Sequence, residues 1–257
     1  MFRPRVIPVL LLRNLGLVKS VRFKDYRYIG DPINAVKIFN DLRADELVFL
    51  DITASREQRK ISLDFVHKVG DECNMPFAAG GGIRTLADIR EVLQAGAEKV
   101  VINTAAAENP DFVRQAAEEF GSSTVVVCMD VKKKMFGKEQ VWIYGGTKAT
   151  SYDPVEYAAL MEEKGAGEII VQSIDDDGMM HGYPLDLIKK ISHTVTVPVV
   201  ACSGAGSLKH LQEAVEKANA SAVAAGSMFV FYGPRRAVLI NYPSRQEIHQ
   251  LFNFNSR

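Results

Sequence analysis

Cysteine is scarce in this sequence: 257 residues carry three, Cys73, Cys128 and Cys202, far apart and odd in number. That spacing excludes a CxxC redox or zinc pair and fits free thiols in a reducing compartment. Net charge is lacking as well, with 31 Lys plus Arg against 31 Asp plus Glu, so no overall field draws the chain to nucleic acid or to an anionic membrane. Long apolar runs are missing. In the N-terminal stretch MFRPRVIPVLLLRN the run Val6 to Leu12 is too short to cross a bilayer, and no small-residue cleavage site follows it. It reads as a first buried strand. Nor does any low-complexity stretch suggest disorder: the ten prolines are scattered, and 47% of residues are hydrophobic, enough for a large core. The expectation is a globular, cytoplasmic chain whose partners are small molecules or proteins, with no nucleic acid and no membrane among them.

What is present is an alternation of short apolar runs with amphipathic segments, the pattern of a parallel sheet whose crossovers are helices. Eight runs are counted: Val6 to Leu12, Leu47 to Asp51, Pro76 to Ala79, Lys99 to Asn103, Thr124 to Asp130, Glu168 to Ser173, Pro198 to Cys202 and Ser221 to Ala225. Eight strands close a (β/α)8 TIM barrel of about 250 residues, so the expected organisation is a single α/β barrel domain over residues 1–257. Ala35, Ile38, Phe39 and Leu42 form one helical apolar stripe. Asn109-Pro110 and Asp153-Pro154 put a capping side chain before proline, Thr85 and Ser207 can cap the helices after them, and Gly70, Gly96, Gly121 and Gly165 stand where helices should stop.

The second half echoes the first. Val9-Leu10-Leu11 is answered by Cys128-Met129-Asp130, Asp45-Glu46-Leu47-Val48 by Gly167-Glu168-Ile169-Ile170, and Gly80-Gly81-Gly82-Ile83 by Ser203-Gly204-Ala205-Gly206. Two similar half-barrels bring equivalent strand ends face to face across the axis, so position 11 should face Asp130.

Both glycine-rich turns follow a strand and open a helix, where backbone N–H groups can cradle phosphate. A tight strand-to-helix turn would explain either one alone; two at matching places suggest a ligand with a phosphate at each end. Asn103-Thr104 and Ala225-Gly226 would complete the two pockets, or would cap helices instead. Asp51, Asp130 and the run Asp175-Asp176-Asp177-Gly178 place carboxylates where this fold carries its chemistry. The contiguous aspartates lack EF-hand spacing, so neither calcium nor another metal is expected, and no cofactor is implied. A carboxylate ending the apolar run Val125 to Met129 calls for a partner or a task, which singles out Asp130. Lys19 lies in the long loop after the first strand, where a solvated lysine is the plain alternative to a ligand contact. Lys132-Lys133-Lys134 has no interleaved aromatics and reads as a solvated loop. His181 and Cys202 have no base or ligand set near them in sequence and are taken as lining residues.

Taken together, DELVFLDITAS (Asp45 to Ser55), AGGGIRT (Ala79 to Thr85), KVVINTAA (Lys99 to Ala106), GAGEIIVQSIDDDG (Gly165 to Gly178) and SGAG (Ser203 to Gly206) resemble the cyclase subunit of imidazole glycerol-phosphate synthase, nearly end to end. The resemblance implies a barrel that binds a bis-phosphorylated substrate at its mouth and receives ammonia through its core from a glutaminase docked below, in a heterodimer. Lys19, Asp51, Gly82, Asn103, Thr104, Asp177, Gly178, Gly204, Ala225 and Gly226 become the implied substrate and phosphate contacts. Arg5, Glu46, Lys99 and Glu168 match the charged ring that gates ammonia entry; a salt-bridge ring that only stabilises the barrel is the alternative. Family members use two aspartates as general acid and base. Asp130 matches one, and Leu11 stands where the other should be.

Leucine can neither take nor give a proton, so half of that pair is missing. Further departures cluster at the mouth: Gln172 in place of a smaller hydroxyl residue, Met179 after Asp177-Gly178, and Cys202-Ser203 in place of Ser-Gly. The leading expectation is a relative of the cyclase, similar to those of bacterial surface-polysaccharide pathways, which accepts ammonia for a third protein, a sugar amidotransferase acting on a nucleotide-activated sugar. A working histidine-pathway cyclase in which Asp51 or Asp177 replaces the missing carboxylate is the second reading. A non-catalytic scaffold that activates a glutaminase is the third.

Overall fold

Apolar runs with no polar face require burial on both sides, and a closed parallel barrel wrapped in helices provides it. The computed structural model describes residues 3–134 and 137–252. Its barrel strands are β1 (Arg5–Arg13), β2 (Leu47–Asp51), β3 (Phe77–Gly80), β4 (Lys99–Ile102), β5 (Val125–Lys133), β6 (Glu168–Ser173), β7 (Val199–Cys202) and β8 (Ala222–Ala225). They pair in parallel in chain order around the ring, and β8 closes onto β1. Within β1, Ile7, Val9 and Leu11 join an inner cluster that fills the barrel, while Val6, Leu10 and Leu12 join the outer cluster under the helices. This alternation fixes which side chains reach the axis.

Local signals place the helices. Asp31 accepts from the Asn34 N–H at 2.8 Å ahead of α1 (Pro32–Asp41), and Ser62 caps α2 (Leu63–Glu72). Thr85 and Asp88 form a reciprocal capping box at α3 (Leu86–Gln94). α4 (Pro110–Phe120) follows Asn109, and α5 (Pro154–Glu163) is capped by Asp153. α6 (Leu185–Ser192), α7 (Leu208–Ala218) and α8 (Arg245–Phe252) complete the crossovers.

Four sequence expectations need correction. Asn109 and Ser207 stand at N-cap positions without a side-chain cap bond; ahead of α7 the Gly206 N–H donates to His210 Nδ1 instead. Gly70 lies inside α2 rather than at its end, and its lack of a side chain serves packing instead: a Cβ there would press on the Ala95 carbonyl at 3.1 Å. The stripe on α1 is only partly buried: Ala35 and Phe39 are covered, whereas Ile38 and Leu42 are exposed and Val36 takes their place in the core.

The loops after β1 and β5 are hairpins. Gly16–Val21 runs antiparallel to the end of β1, with Leu11 opposite Val18, and pairs in turn with Lys24–Gly30. Glu139–Ile143 lies against the end of β5, with Asp130 opposite Trp142. The same device at two strands four places apart in the ring matches the expected half-barrel repeat. Among the described residues no helix is long and apolar enough to cross a membrane.

Candidate active site at the barrel mouth

The carboxyl ends of the strands surround a cavity of about 490 Å³. Gly82 forms one wall at φ +65°, where a Cβ would overlap the Arg59 carbonyl oxygen, so only glycine lets the two backbones approach. Asn103 and Thr104 form the next wall. The Asn103 amide donates to the Cys128 carbonyl at 2.8 Å, and the Thr104 hydroxyl accepts from the Tyr144 N–H at 3.1 Å. Asp51 also lines this cavity, but much of its hydrogen-bonding capacity is engaged: Oδ1 accepts from the Thr53 and Ala54 N–H groups at 3.1 and 3.2 Å, and Arg59 pairs with Oδ2 at 2.5 Å. It orders the loop after β2.

A second, smaller pocket of about 30 Å³ opens beside the first, lined by Lys19, Asp177, Gly178, Gly204, Ala225 and Gly226. Lys19 is buried, not a solvated loop lysine, because the hairpin after β1 folds it inward. Its Nζ donates to the Val9 carbonyl and lies over Gly226, where a Cβ would overlap it. Burial lowers its pKa to about 8, opposed by the nearby Asp177 carboxylate. Asp177 Oδ2 accepts from the Ser20 hydroxyl at 2.6 Å and the Phe23 N–H at 3.2 Å, while burial pushes its pKa up. The sequence-derived ligand residues thus fall into two groups, Asp51, Gly82, Asn103 and Thr104 in one, Lys19, Asp177, Gly178, Gly204, Ala225 and Gly226 in the other.

Leu11 and Gln172 line both pockets and form the saddle between them. Asp130, in register with Gln172, is buried in the wall of the larger cavity. Burial pushes its carboxyl up to about 7; the Asn103 amide opposes this and the charge of Asp177 adds to it. A carboxyl poised there can give or take a proton near neutrality. The thiols do not fit a nucleophile's role: Cys128 donates weakly to the Gln172 side-chain Oε1 at 3.5 Å with its pKa raised, and burial pushes Cys202 up to about 12. His181 is exposed and lines neither pocket. Residues that sequence reasoning missed include three from the hairpins, Phe23, Tyr26 and Tyr144, which also line the larger cavity. Only their placement in hairpins, not their spacing, could have flagged them.

At the opposite end, where the strands begin, Arg5 pairs with both Glu46 and Glu168, and Lys99 pairs with the same two acids at 3.0 and 2.9 Å. The four side chains close a ring of alternating charge. Between ring and mouth the barrel is filled by small and branched apolar groups, among them Ile7, Val48, Ala78, Val126, Ile170 and Ala224.

A family model described as "Histidine biosynthesis protein" matches residues 5–234. A Vibrio vulnificus protein provisionally named imidazole glycerol phosphate synthase subunit hisF3 is 46% identical over 248 residues, 96% of this chain and 95% of the relative. A Pseudomonas aeruginosa protein provisionally named as the hisF2 subunit is 47% identical over 243 residues, 95% of this chain and 97% of its own. Imidazole glycerol phosphate synthase subunit HisF of Caulobacter vibrioides is 45% identical over 232 residues, 90% and 89% of the two chains. On a closed eight-stranded barrel whose match runs over nearly its whole length, this likeness decides the family: the chain belongs to the HisF-like cyclase subunits of imidazole glycerol phosphate synthase.

Proposed function

We propose that this barrel, acting as one cytoplasmic domain over residues 1–257, takes ammonia from a glutaminase at the charged-ring end and releases it at the mouth. There the ammonia serves amidation of a nucleotide sugar by a separate amidotransferase in surface-polysaccharide synthesis rather than imidazole-ring closure. The observation that carries this reading is Leu11, which lines the mouth across from Asp130. A two-carboxylate mechanism needs one group to give a proton while the other takes one, and leucine does neither. What supports ammonia entry is the complete ring of Arg5, Glu46, Lys99 and Glu168 below an apolar interior, where neutral ammonia is tolerated far better than ammonium. Asp130 then stands at the exit as the group that handles the proton. The two pockets would hold a phosphorylated small molecule at the mouth, with Lys19, Gly178, Gly204 and Gly226 at one end and Gly82, Asn103 and Thr104 at the other.

The second reading, a working cyclase, is favoured by the likeness to the Caulobacter HisF subunit and by Asp177, a buried carboxyl in the smaller pocket. Asp51 suits the replacement role less well, since Arg59 and the loop N–H groups engage it. Cyclase turnover with saturating ammonium separates the readings. The expected result is no turnover in the wild type and a measurable gain in Leu11→Asp; ordinary wild-type turnover would sink the amidation reading. If the barrel instead only scaffolds a glutaminase, ammonia released by the complex would reach bulk solvent, and ligand at the mouth would leave glutaminase turnover unchanged.

A further inference from the structure

Ser203 combines two unfavourable features. Its backbone is left-handed at φ +73°, a conformation that glycine adopts freely and a side chain resists. Its hydroxyl is buried, the residue being 8% exposed, without a hydrogen-bond partner of ordinary geometry. The polar group beside it is the Cys202 sulfur, a weak acceptor. Glycine would hold this turn without strain and with no polar atom to satisfy. A hydroxyl kept under such conditions should gain its partner when something enters.

The place it lines is the smaller pocket, beside the buried Lys19 ammonium and the turn at Gly204 and Gly226. Gly226 leaves the space that the Lys19 Nζ occupies. Relative to the Ser-Gly pair of the family resemblance, the hydroxyl stands one residue further along the chain. Position 202 belongs to the inner cluster of the barrel, and 203 to the turn above it.

We propose that Ser203 is an anion-binding residue: when the smaller pocket fills, its hydroxyl rotates to donate to an oxygen of a phosphate group held by Lys19 and the Gly204 turn. A hydroxyl is a threefold rotor, so the change needs no backbone movement. The bond relieves an unsatisfied buried group only in the occupied state, which makes Ser203 a determinant of affinity rather than of folding. This rests on the reading of the smaller pocket as a phosphate site.

The test is a titration of the full chain with inorganic phosphate, following the Gly204 and Gly226 amides by NMR, for wild type, Ser203→Ala, Ser203→Gly and Lys19→Met. Both Ser203 variants should bind phosphate about tenfold more weakly, the loss of one charge-assisted hydrogen bond. Without phosphate, Ser203→Gly should melt about 2–4 °C higher because the left-handed strain is gone, whereas Ser203→Ala, which keeps the strain, should show little gain. Wild-type affinity in both Ser203 variants, with Lys19→Met weakened, would overturn the role of Ser203 and leave the pocket standing. If the two amides do not move in the wild type and Lys19→Met behaves the same, the phosphate site itself is wrong and the proposal falls with it.

Discussion

Leu11 on β1 and Asp130 on β5 line one cavity from strands four places apart in the eight-strand ring. Asp130 therefore keeps its buried carboxyl without the second carboxylate that a cyclase pair would place opposite, and its pKa of about 7 follows first from burial. The unfolded carboxyl titrates near 3.9, so the folded state holds its proton over a pH range in which the unfolded state does not. That difference lowers stability as pH rises from about 4 to about 7.

Replacing Asp130 with Asn should remove this penalty. Urea unfolding at pH 4 should give nearly equal stability for wild type and variant; at pH 8 the variant should be more stable by about 4 kcal/mol, three pKa units of difference. Equal stability at both pH values would mean that the carboxyl is ionised and solvated in the native state.

The charged ring should behave as one unit. Lys99→Met leaves Glu46 and Glu168 sharing Arg5 alone and should cost about 2 kcal/mol, below the range for fully buried pairs because Lys99 is partly exposed. Adding Glu168→Gln restores a one-to-one pairing of Arg5 with Glu46. The double variant should then lose less than the sum of the two single losses by at least about 1 kcal/mol, measurable as a double-mutant cycle in urea. Additive losses would show that the four groups act separately.

Two glycines at the mouth should respond in opposite ways. Gly82→Ala meets rigid backbone at a left-handed φ and should cost about 3 kcal/mol or more. Gly226→Ala overlaps the end of the Lys19 side chain, which can move aside, and comes within 3.3 Å of the Val9 carbonyl oxygen, a contact that a small shift relieves. Its melting temperature should stay within about 2 °C of wild type, while phosphate binding at the smaller pocket weakens through displacement of the ammonium. A large stability loss in Gly226→Ala would mean that Lys19 is fixed by the fold rather than poised for a ligand.

The barrel was legible because each strand is an apolar run bounded by turn residues, and most ends agree within a residue or two: Pro76 to Ala79 became Phe77–Gly80, and Lys99 to Asn103 became Lys99–Ile102. β5 ran on to Lys133 because the hairpin Glu139–Ile143 extends its pairing, a long-range effect that no local run announces. The choice between a solvated and a buried Lys19 could not be read locally for the same reason: burial of a loop lysine depends on how the loop folds back. The exposure of Ile38 and Leu42 shows the limit of periodicity, which finds a stripe but not the width of the groove that receives it. At the site, motif order pointed to both pockets, yet the strain and unsatisfied hydroxyl of Ser203 exist only in three dimensions.

In the ring at the foot of the barrel each acid touches both bases and each base touches both acids. A closed alternation of this kind has a parity: change one member and its two neighbours are left with an excess of one sign. Divergence at that end must proceed by compensated pairs. At the mouth, Leu11 and Ser203 line the same smaller pocket but belong to no such ring of paired charges, so each can change without stranding a partner of opposite sign, and the scaffold can hold its foot fixed while its mouth varies.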